Sequence, residues 1–313
     1  MTGDHPYCAA VDWGTTSFRL WLLDRGGAVL AERRGDEGMT TARERGFAAV
    51  LESRLAGLKA PAGLPVVVCG MAGSKQGWRE APYLDAPARL GDVPAGAIRV
   101  RDGTRDVRIL PGIAQRDPAR PDVMRGEETQ LLGAFGGSTG ARLACLPGTH
   151  SKWVRIENGA VAAFATFMTG ELFAVLARHS VLAHSLGAAP DADPEAPAFR
   201  DAARSSRAAP EGLTAALFAV RAGGLLGLHD PADAASRLSG TLIGAELAGA
   251  SSLCGQPSAA TLIASGRLKA LYEGALAACG VEAETLDADD AARRGLFAAA
   301  RRFWPLEPED PAP

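Results

Sequence analysis

Two short turns hold the residues best suited to chemistry in this chain. The first follows Asp12 and reads Gly14-Thr15-Thr16-Ser17, with Arg19 just beyond it. The second reads Gly148-Thr149-His150-Ser151-Lys152. A carboxylate where a strand ends can hold Mg²⁺, usually through water. Glycine lets the backbone approach a phosphate, and successive N–H groups with neighbouring hydroxyls form a nest for an anion. Either turn alone is equally a plain β-hairpin. As a matched pair they point to phosphate, because hairpins have no need to repeat a Gly-Thr-x-Ser sequence. His150 lies in the turn itself, which suits a phosphate or substrate role, and Lys152 can add positive charge.

Each turn needs a scaffold, and the flanking sequence supplies the same one twice. Cys8–Trp13 and Cys145–Leu146 are apolar runs that enter the turns, and an alternating run follows each. Hairpins at Gly26-Gly27 and Asn158-Gly159 then lead into a third apolar run, a strong local signal for paired strands. The repeat predicts two related domains. The Gly-rich stretch Gly136–Gly140 marks the boundary, giving domains 1–140 and 141–313, with the last helix able to pack back on the first.

Further candidates lie on loops. Leu64–Gly70 reads as a fully buried strand in a largely parallel sheet. It opens into a loop with Gly73, Ser74, Trp78 and Arg79, and loops leaving strand ends are where α/β proteins keep ligands. Arg125-Gly126-Glu127-Glu128 precedes an apolar helix start; it is either a site or a helix N-terminus favouring Glu. Ser265-Gly266, after an apolar strand, suits a nucleoside passing over a helix start. Helices are expected over Thr41–Leu58, Leu213–His229, Ser239–Leu253 and Asp289–Phe303. Val107–Leu110 reads as a strand that stops at Pro111-Gly112. Gly187–Pro210, rich in Ala, Asp, Pro and Arg, reads as a surface excursion.

Composition narrows the function. The 313 residues are 47% hydrophobic and carry a net charge of -3 from 33 basic and 36 acidic side chains. That supports full globular cores and, with no long Lys/Arg run, no nucleic-acid partner. The five cysteines form no Cys-x-x-Cys pattern and read as reduced thiols. No leader pattern or transmembrane-length run is present, so a cytoplasmic protein with no membrane partner is expected.

The chain resembles the 2-dehydro-3-deoxygalactonokinase family of the actin/hexokinase/Hsp70 superfamily. The matching stretches are Val11–Arg19, Gly70–Ser74 with Gly77-Trp78 and Ala81–Leu84, Val123–Leu131, Leu146–Val154, Phe167–Leu172 and Leu238–Glu246. The resemblance implies two ribonuclease-H-like (actin-like ATPase) α/β domains with a nucleotide cleft between them. It also implies transfer of phosphate from ATP, with Mg²⁺, to the terminal hydroxyl of 2-dehydro-3-deoxy-D-galactonate. Asp12–Thr16 would be the first phosphate loop, Gly148–Lys152 the second, and Gly266 part of the adenosine site. Many kinases of the superfamily carry an Asp in or near the second loop. Here that loop has no carboxylate, so Glu127, Glu128 and Glu171 are the candidate bases. A sugar acid needs an Arg to clamp its carboxylate, and Arg125 is the first choice, Arg79 the second. Another sugar or sugar-acid kinase of the superfamily, and an actin-like sensor or assembly ATPase, are the alternatives. Assembly into a homodimer stays open.

Overall fold

The computed structural model describes residues 5–101, 103–187, 190–255 and 259–306. It is a mixed α/β protein made of two compact units. The first runs to Gly140 and takes in Asn158–Val161 and the chain from Asp289 on; the second comprises Ala141–Glu157 and Ala162–Ala288.

The first unit begins with β1 (Cys8–Trp13), β2 (Phe18–Leu23) and β3 (Val29–Gly35), which form an antiparallel meander. Helices α1 (Met39–Arg45) and α2 (Phe47–Gly57) follow. The sequence predicts one helix here. The chain makes two because Gly46 takes a φ of +86°, which ends the first and opens the second. Next come β4 (Val66–Gly70), β5 (Tyr83–Asp85), β6 (Ala88–Arg89), β7 (Ile98–Val100), β8 (Val107–Ile109), β9 (Gly112–Gln115), β10 (Asp122–Met124) and α3 (Glu127–Phe135). The main sheet has the order β3-β2-β1-β4-β8-β7, with β4 parallel to both β1 and β8. Every residue of β4 is buried, as its uniform apolar run predicts. Gly112 opens a strand where the sequence suggests only a stop; β10, β9 and β5 make a small second sheet.

The second unit holds β11 (Ala141–Leu146), β12 (Ser151–Glu157), most of β13 (Ala160–Phe167), α4 (Thr169–His179), α5 (Ala183–Leu186), α6 (Pro197–Ala208), α7 (Leu213–Leu225), α8 (Ala234–Cys254), β14 (Ala259–Ile263), α9 (Gly266–Ala278) and β15 (Glu282–Leu286). Its strands run β15-β14-β11-β12-β13. Read from the other edge, that is the order β3-β2-β1-β4-β8 again: a meander, then two strands parallel to its first member. The duplication seen in the turns therefore extends to the sheets.

The surface excursion expected over Gly187–Pro210 is corrected for its described part. Its composition is polar, yet α6 buries Phe199 and Ala203, at 0% exposure, against α8. Gly240 and Gly244 on α8 admit the contact. A Cβ there would lie 2.2 Å from the Phe199 carbonyl and 2.3 Å from that of Ala203. Residues 188 and 189 of that stretch lie outside the described residues, as do the chain's first four residues and the acidic tail from 307.

Helix α10 (Ala288–Phe303) has its residues from Asp289 on in the first unit. Gly133 on α3 and Gly295 on α10 let the two helices cross closely; a Cβ at either would fall within 2.0 Å of the other helix's backbone. Among the described residues no helix is long and apolar enough to cross a membrane.

Candidate active site

In the first unit, β1 delivers Asp12 one residue before the chain leaves the sheet. The turn that follows closes with Gly14 N–H donating to the Ser17 carbonyl at 2.9 Å, and Thr15, Thr16 and Ser17 are exposed. Gly14 has to be glycine, since a Cβ would sit 2.6 Å from Ser17 Oγ. Gly38 packs its backbone on Thr15 and Thr16, and the Met39 N–H donates to the Gly14 carbonyl. The turn is thus held from behind and open in front.

Strand register brings the charges together. Asp12 pairs with Arg19, and Arg19 with Arg34, across three adjacent strands. Arg19 Nη1 stands 3.4 Å from Asp12 Oδ2 and 2.7 Å from Asp289 Oδ1, while Arg34 Nη1 is 2.8 Å from Asp289 Oδ2. Burial pushes the Asp12 carboxyl above its ordinary range, and the Arg19 charge and the Cys69 thiol oppose that. Cys69 Sγ donates to Asp12 Oδ1 at 3.7 Å.

The end of β4 joins a third segment to this point. Gly70 has a φ of +84°, and a Cβ there would lie 2.6 Å from the Trp13 carbonyl and 3.4 Å from Asp12 Oδ1. Gly126, with φ +107°, rests against it: its Cβ would be 3.4 Å from Gly70 Cα. Two glycines in contact therefore bring the N-terminus of α3 beside Asp12. Glu127 is half-buried, accepts the Arg125 N–H at 3.0 Å, and its charge reaches Asp12. Glu128 is 0% exposed and accepts from Gly126 N–H at 2.7 Å and from Thr129 Oγ1 at 2.9 Å. Burial, with the charge of Glu127, pushes its carboxyl up to about 8.

Arg125 lies across the same loops. Nη2 donates to the Ala81 carbonyl at 2.9 Å and the guanidinium stacks 4.3 Å over Tyr83. Nε and Nη1 are buried with no hydrogen-bond partner, and Nη1 would be 2.9 Å from a Cβ on Gly73. Trp78 is half-buried and packs at the edge of an aromatic cluster with Trp13 and Phe47. Ser74 Oγ donates to Met39 Sδ at 3.3 Å, and Arg79 is exposed.

In the second unit the turn has one more residue. Leu146 pairs with Lys152, leaving five residues between them where Trp13 and Phe18 leave four. Thr149 and His150 are exposed, and His150 Nε2 is 2.5 Å from Glu171 Oε2. The first turn of α4 sits directly on the loop. A Cβ on Gly170 would be 2.5 Å from the Gly148 carbonyl, and Glu171 N–H donates to the Thr149 carbonyl at 3.0 Å. Ser151 and Lys152 are buried, at 0% and 5% exposure.

Gly266, with φ +60°, opens α9. Ser265 Oγ donates to Asp287 Oδ2 at 2.7 Å and accepts from Ala288 N–H at 3.0 Å, which pins the turn before it. A cavity of about 200 Å³ is lined by Gly148, Thr169, Arg267, Leu268, Leu271 and Tyr272. It brings the second turn and the start of α9 to one pocket.

Sequence reasoning missed Asp289, Cys69, Glu246 and Tyr272. Asp289 reads as an ordinary acidic first turn of a helix. Glu246 leaves a fainter signal: it is the only carboxylate in Leu238–Cys254, a run otherwise small and apolar.

No group of three or more His, Cys, Asp or Glu side chains among the described residues could hold a metal by itself. Asp12 with Glu127 nearby fits a Mg²⁺ carried mainly by water and phosphate oxygens, which is how that ion is usually bound at phosphoryl-transfer sites.

A family model described as 2-keto-3-deoxy-galactonokinase matches residues 12–299. A protein of Rhizobium meliloti (strain 1021) named for 2-dehydro-3-deoxygalactonokinase activity, DgoK1, is 53% identical over 301 residues, covering 96% of this chain and 98% of its own. The 2-dehydro-3-deoxygalactonokinase of Escherichia coli (strain K12) is 35% identical over 291 residues, 93% of this chain and 96% of its own. A crystal structure of a 2-dehydro-3-deoxygalactonokinase protein from Sinorhizobium meliloti superposes with a TM-score of 0.92 at 53% identity, covering 96% of this chain and 100% of that one. With the match running from Asp12 to Ala299, the chain belongs to the 2-keto-3-deoxy-galactonokinase family.

Proposed function

We propose that this protein is a kinase that uses ATP to phosphorylate the terminal hydroxyl of 2-dehydro-3-deoxy-D-galactonate, giving its 6-phosphate. The observation that carries the reading is Asp12 beside an open Gly-Thr-Thr-Ser turn, with the N-terminus of α3 brought against it by Gly70 and Gly126. Family membership supplies the substrate.

In this reading the two units are ribonuclease-H-like halves, and each turn is a phosphate nest. Phosphoryl transfer asks little covalent work of a protein; it needs in-line positioning and neutralised charge. The backbone N–H groups of Gly14–Ser17 and Gly148–His150 supply the nests, and Asp12 is the residue that would hold Mg²⁺. When bound, such an ion would supply charge neutralisation for the transferring phosphate. The cavity near Gly266 and Tyr272 takes the adenosine.

Among the three candidate bases, Glu127 is favoured. A base must be ionised and reach the hydroxyl. Glu128 is buried and largely protonated at neutral pH, so it organises the loop, and Glu171 is engaged with His150. Arg125 takes the substrate carboxylate. Its two unpartnered nitrogens support that role, since a buried donor left unpaired is costly. The free cysteines, four of them buried, suit a reducing cytoplasm.

The test is ADP release coupled to a reporter over a panel of 2-keto-3-deoxy sugar acids, with and without Mg²⁺. Turnover should appear with the galactonate-derived acid and depend on Mg²⁺. Equal ATP hydrolysis with and without every acid would replace the kinase reading with an ATPase.

A further inference from the structure

A buried carboxylate lies beneath the second turn. Glu246 sits in the middle of α8, 2% exposed, among Gly and Ala. Its Oε1 accepts from Trp153 Nε1 at 2.8 Å and its Oε2 from the Tyr272 hydroxyl at 2.7 Å. Tyr272 Oη is in turn 2.6 Å from Ser151 Oγ. The chain of bonds therefore runs from α8 to α9 and ends in the turn. Trp153 extends it to β12, the strand that leaves the turn.

The proton directions follow from the donor inventory. Trp153 Nε1 can only donate. A carboxylate only accepts, so Tyr272 spends its single proton on Glu246. Ser151 must then donate to Tyr272. Its hydroxyl proton points into the protein, which its complete burial also requires. Hence Ser151 is not a hydroxyl donor to phosphate. It is the hook by which the turn is held.

We propose that Glu246 is a positioning residue for the second phosphate turn, holding Ser151 through Tyr272 and the following strand through Trp153 so that the turn's backbone N–H groups face the nucleotide. The inference rests on the kinase reading for its ligand, but the holding of the turn stands apart from it. Burial pushes the Glu246 carboxyl above its ordinary range, and hydrogen bonds from Thr169, Tyr272 and Trp153 oppose this. Three donors on one buried carboxylate, from Thr169, Tyr272 and Trp153, meet the condition under which a buried polar network rigidifies its surroundings. Thr169 also opens α4, the helix that packs on the turn through Gly170. Glu246 thus gathers strand, helix start and nucleoside helix at one point.

The experiment compares the full-length wild type with Tyr272→Phe and Glu246→Gln. Tyr272→Phe keeps the ring and cuts the link to Ser151. Glu246→Gln keeps one acceptor oxygen and should fall between the other two proteins. Amide hydrogen exchange by mass spectrometry is read over residues 148–152 and, as an internal reference, over residues 14–17. ATP affinity is read by calorimetry. Tyr272→Phe should speed exchange in the second turn about tenfold, leave the first turn unchanged and weaken ATP about tenfold, the scale of one lost hydrogen bond. A merely structural network would lower the melting temperature and leave both turn exchange and ATP affinity at wild-type values; that result overturns the proposal. If Glu246→Gln fails to fold, Tyr272→Phe decides alone. If the wild type binds no ATP, the kinase reading falls, and the exchange measurement still decides whether Glu246 holds the turn.

Discussion

The two turns share the sequence Gly-Thr-x-Ser and the strand order around them, but different side chains stand behind them. The first is flanked by charge. Asp12, Arg19, Arg34 and Asp289 alternate in sign across three strands and a helix. The second rests on hydroxyls, Ser151 and Tyr272, that end on one buried carboxylate. The serines show the difference most directly, since Ser17 is exposed and Ser151 is not. A repeated motif thus places a turn at the same point of the strand order while leaving each side chain's direction to the layer behind it. In the first unit that layer is a row of charges of alternating sign. In the second it supplies rigidity.

The strongest way to break the comparison is to remove the charge from the first turn. Asp12→Asn should lower kcat by about 10²–10³, the range seen when one preorganised electrostatic contact is lost. Folding should survive, because burial disfavours the Asp12 charge and Arg19 keeps Asp289 as its partner. Steady-state kinetics and a thermal melt on one preparation check this. Near-normal turnover would remove Asp12 from the site and leave the two turns chemically alike.

Much of this arrangement can be read from the sequence, and the parts that cannot share a cause. Apolar runs and Gly hairpins reveal β1–β3 and β11–β13 because the strand pattern is local. The stretch Val66–Gly70 declares a buried strand for the same reason. Asp289 stays hidden because its role depends on α10 returning to the first unit, 277 positions after Asp12. Trp78 looks like a ligand contact from its loop, yet its ring stacks with Phe47. Polar composition hides α6, whose burial depends on two glycines of α8. Glu127 and Glu128 are adjacent and alike in sequence, and the first turn of α3 makes one half-exposed and the other fully buried. Long-range packing decides each of these, and no window of neighbouring residues contains it.

Arg125 gives the next largest effect and tests whether the first unit also reads the substrate. Arg125→Lys should lower kcat/KM for the sugar acid by about one to two decades while ATP affinity holds. Lysine cannot reproduce a two-pronged contact. The variant should also discriminate less against an uncharged analogue. Equal losses for acid and analogue would make Arg125 a strut between Ala81 and Tyr83, and Arg79 the next residue to test.

Glu128 separates loop shaping from catalysis through pH. Its folded-state carboxyl is raised to about 8 from an ordinary 4.5. The stability it contributes is therefore full below about pH 4.5 and is lost as pH rises toward 8, because the unfolded chain releases the proton first. Glu128→Gln mimics the protonated form: the amide oxygen accepts from Gly126 and the amide nitrogen donates to Thr129. Each pH unit of difference corresponds to about 1.4 kcal/mol, so the wild type should lose a few kcal/mol relative to the variant between pH 5 and pH 8. Denaturant unfolding at several pH values checks it. Parallel curves for the two proteins would mean that Glu128 is ionised when folded, and would return it to the list of bases.

The smallest effect is the sharpest, because it sets the two serines against each other. Ser17→Ala removes an exposed hydroxyl that curls over Gly14 and has no core contact to lose. Its melting temperature should stay near the wild type, while its KM for ATP rises a few-fold, as expected for one hydroxyl contact to phosphate at the surface. Ser151→Ala removes a buried donor and leaves the Tyr272 oxygen without its partner. That typically costs about 1–3 kcal/mol of stability, which lowers the melting temperature by several degrees. It should also loosen the second turn without deleting any contact to the nucleotide. The readout that divides them is the ratio of the two changes: affinity without stability at position 17, and stability first, with affinity following, at position 151. Should both serines shift affinity alone, Ser151 would have to turn outward to meet the phosphate, and the two serines would be equivalent in role.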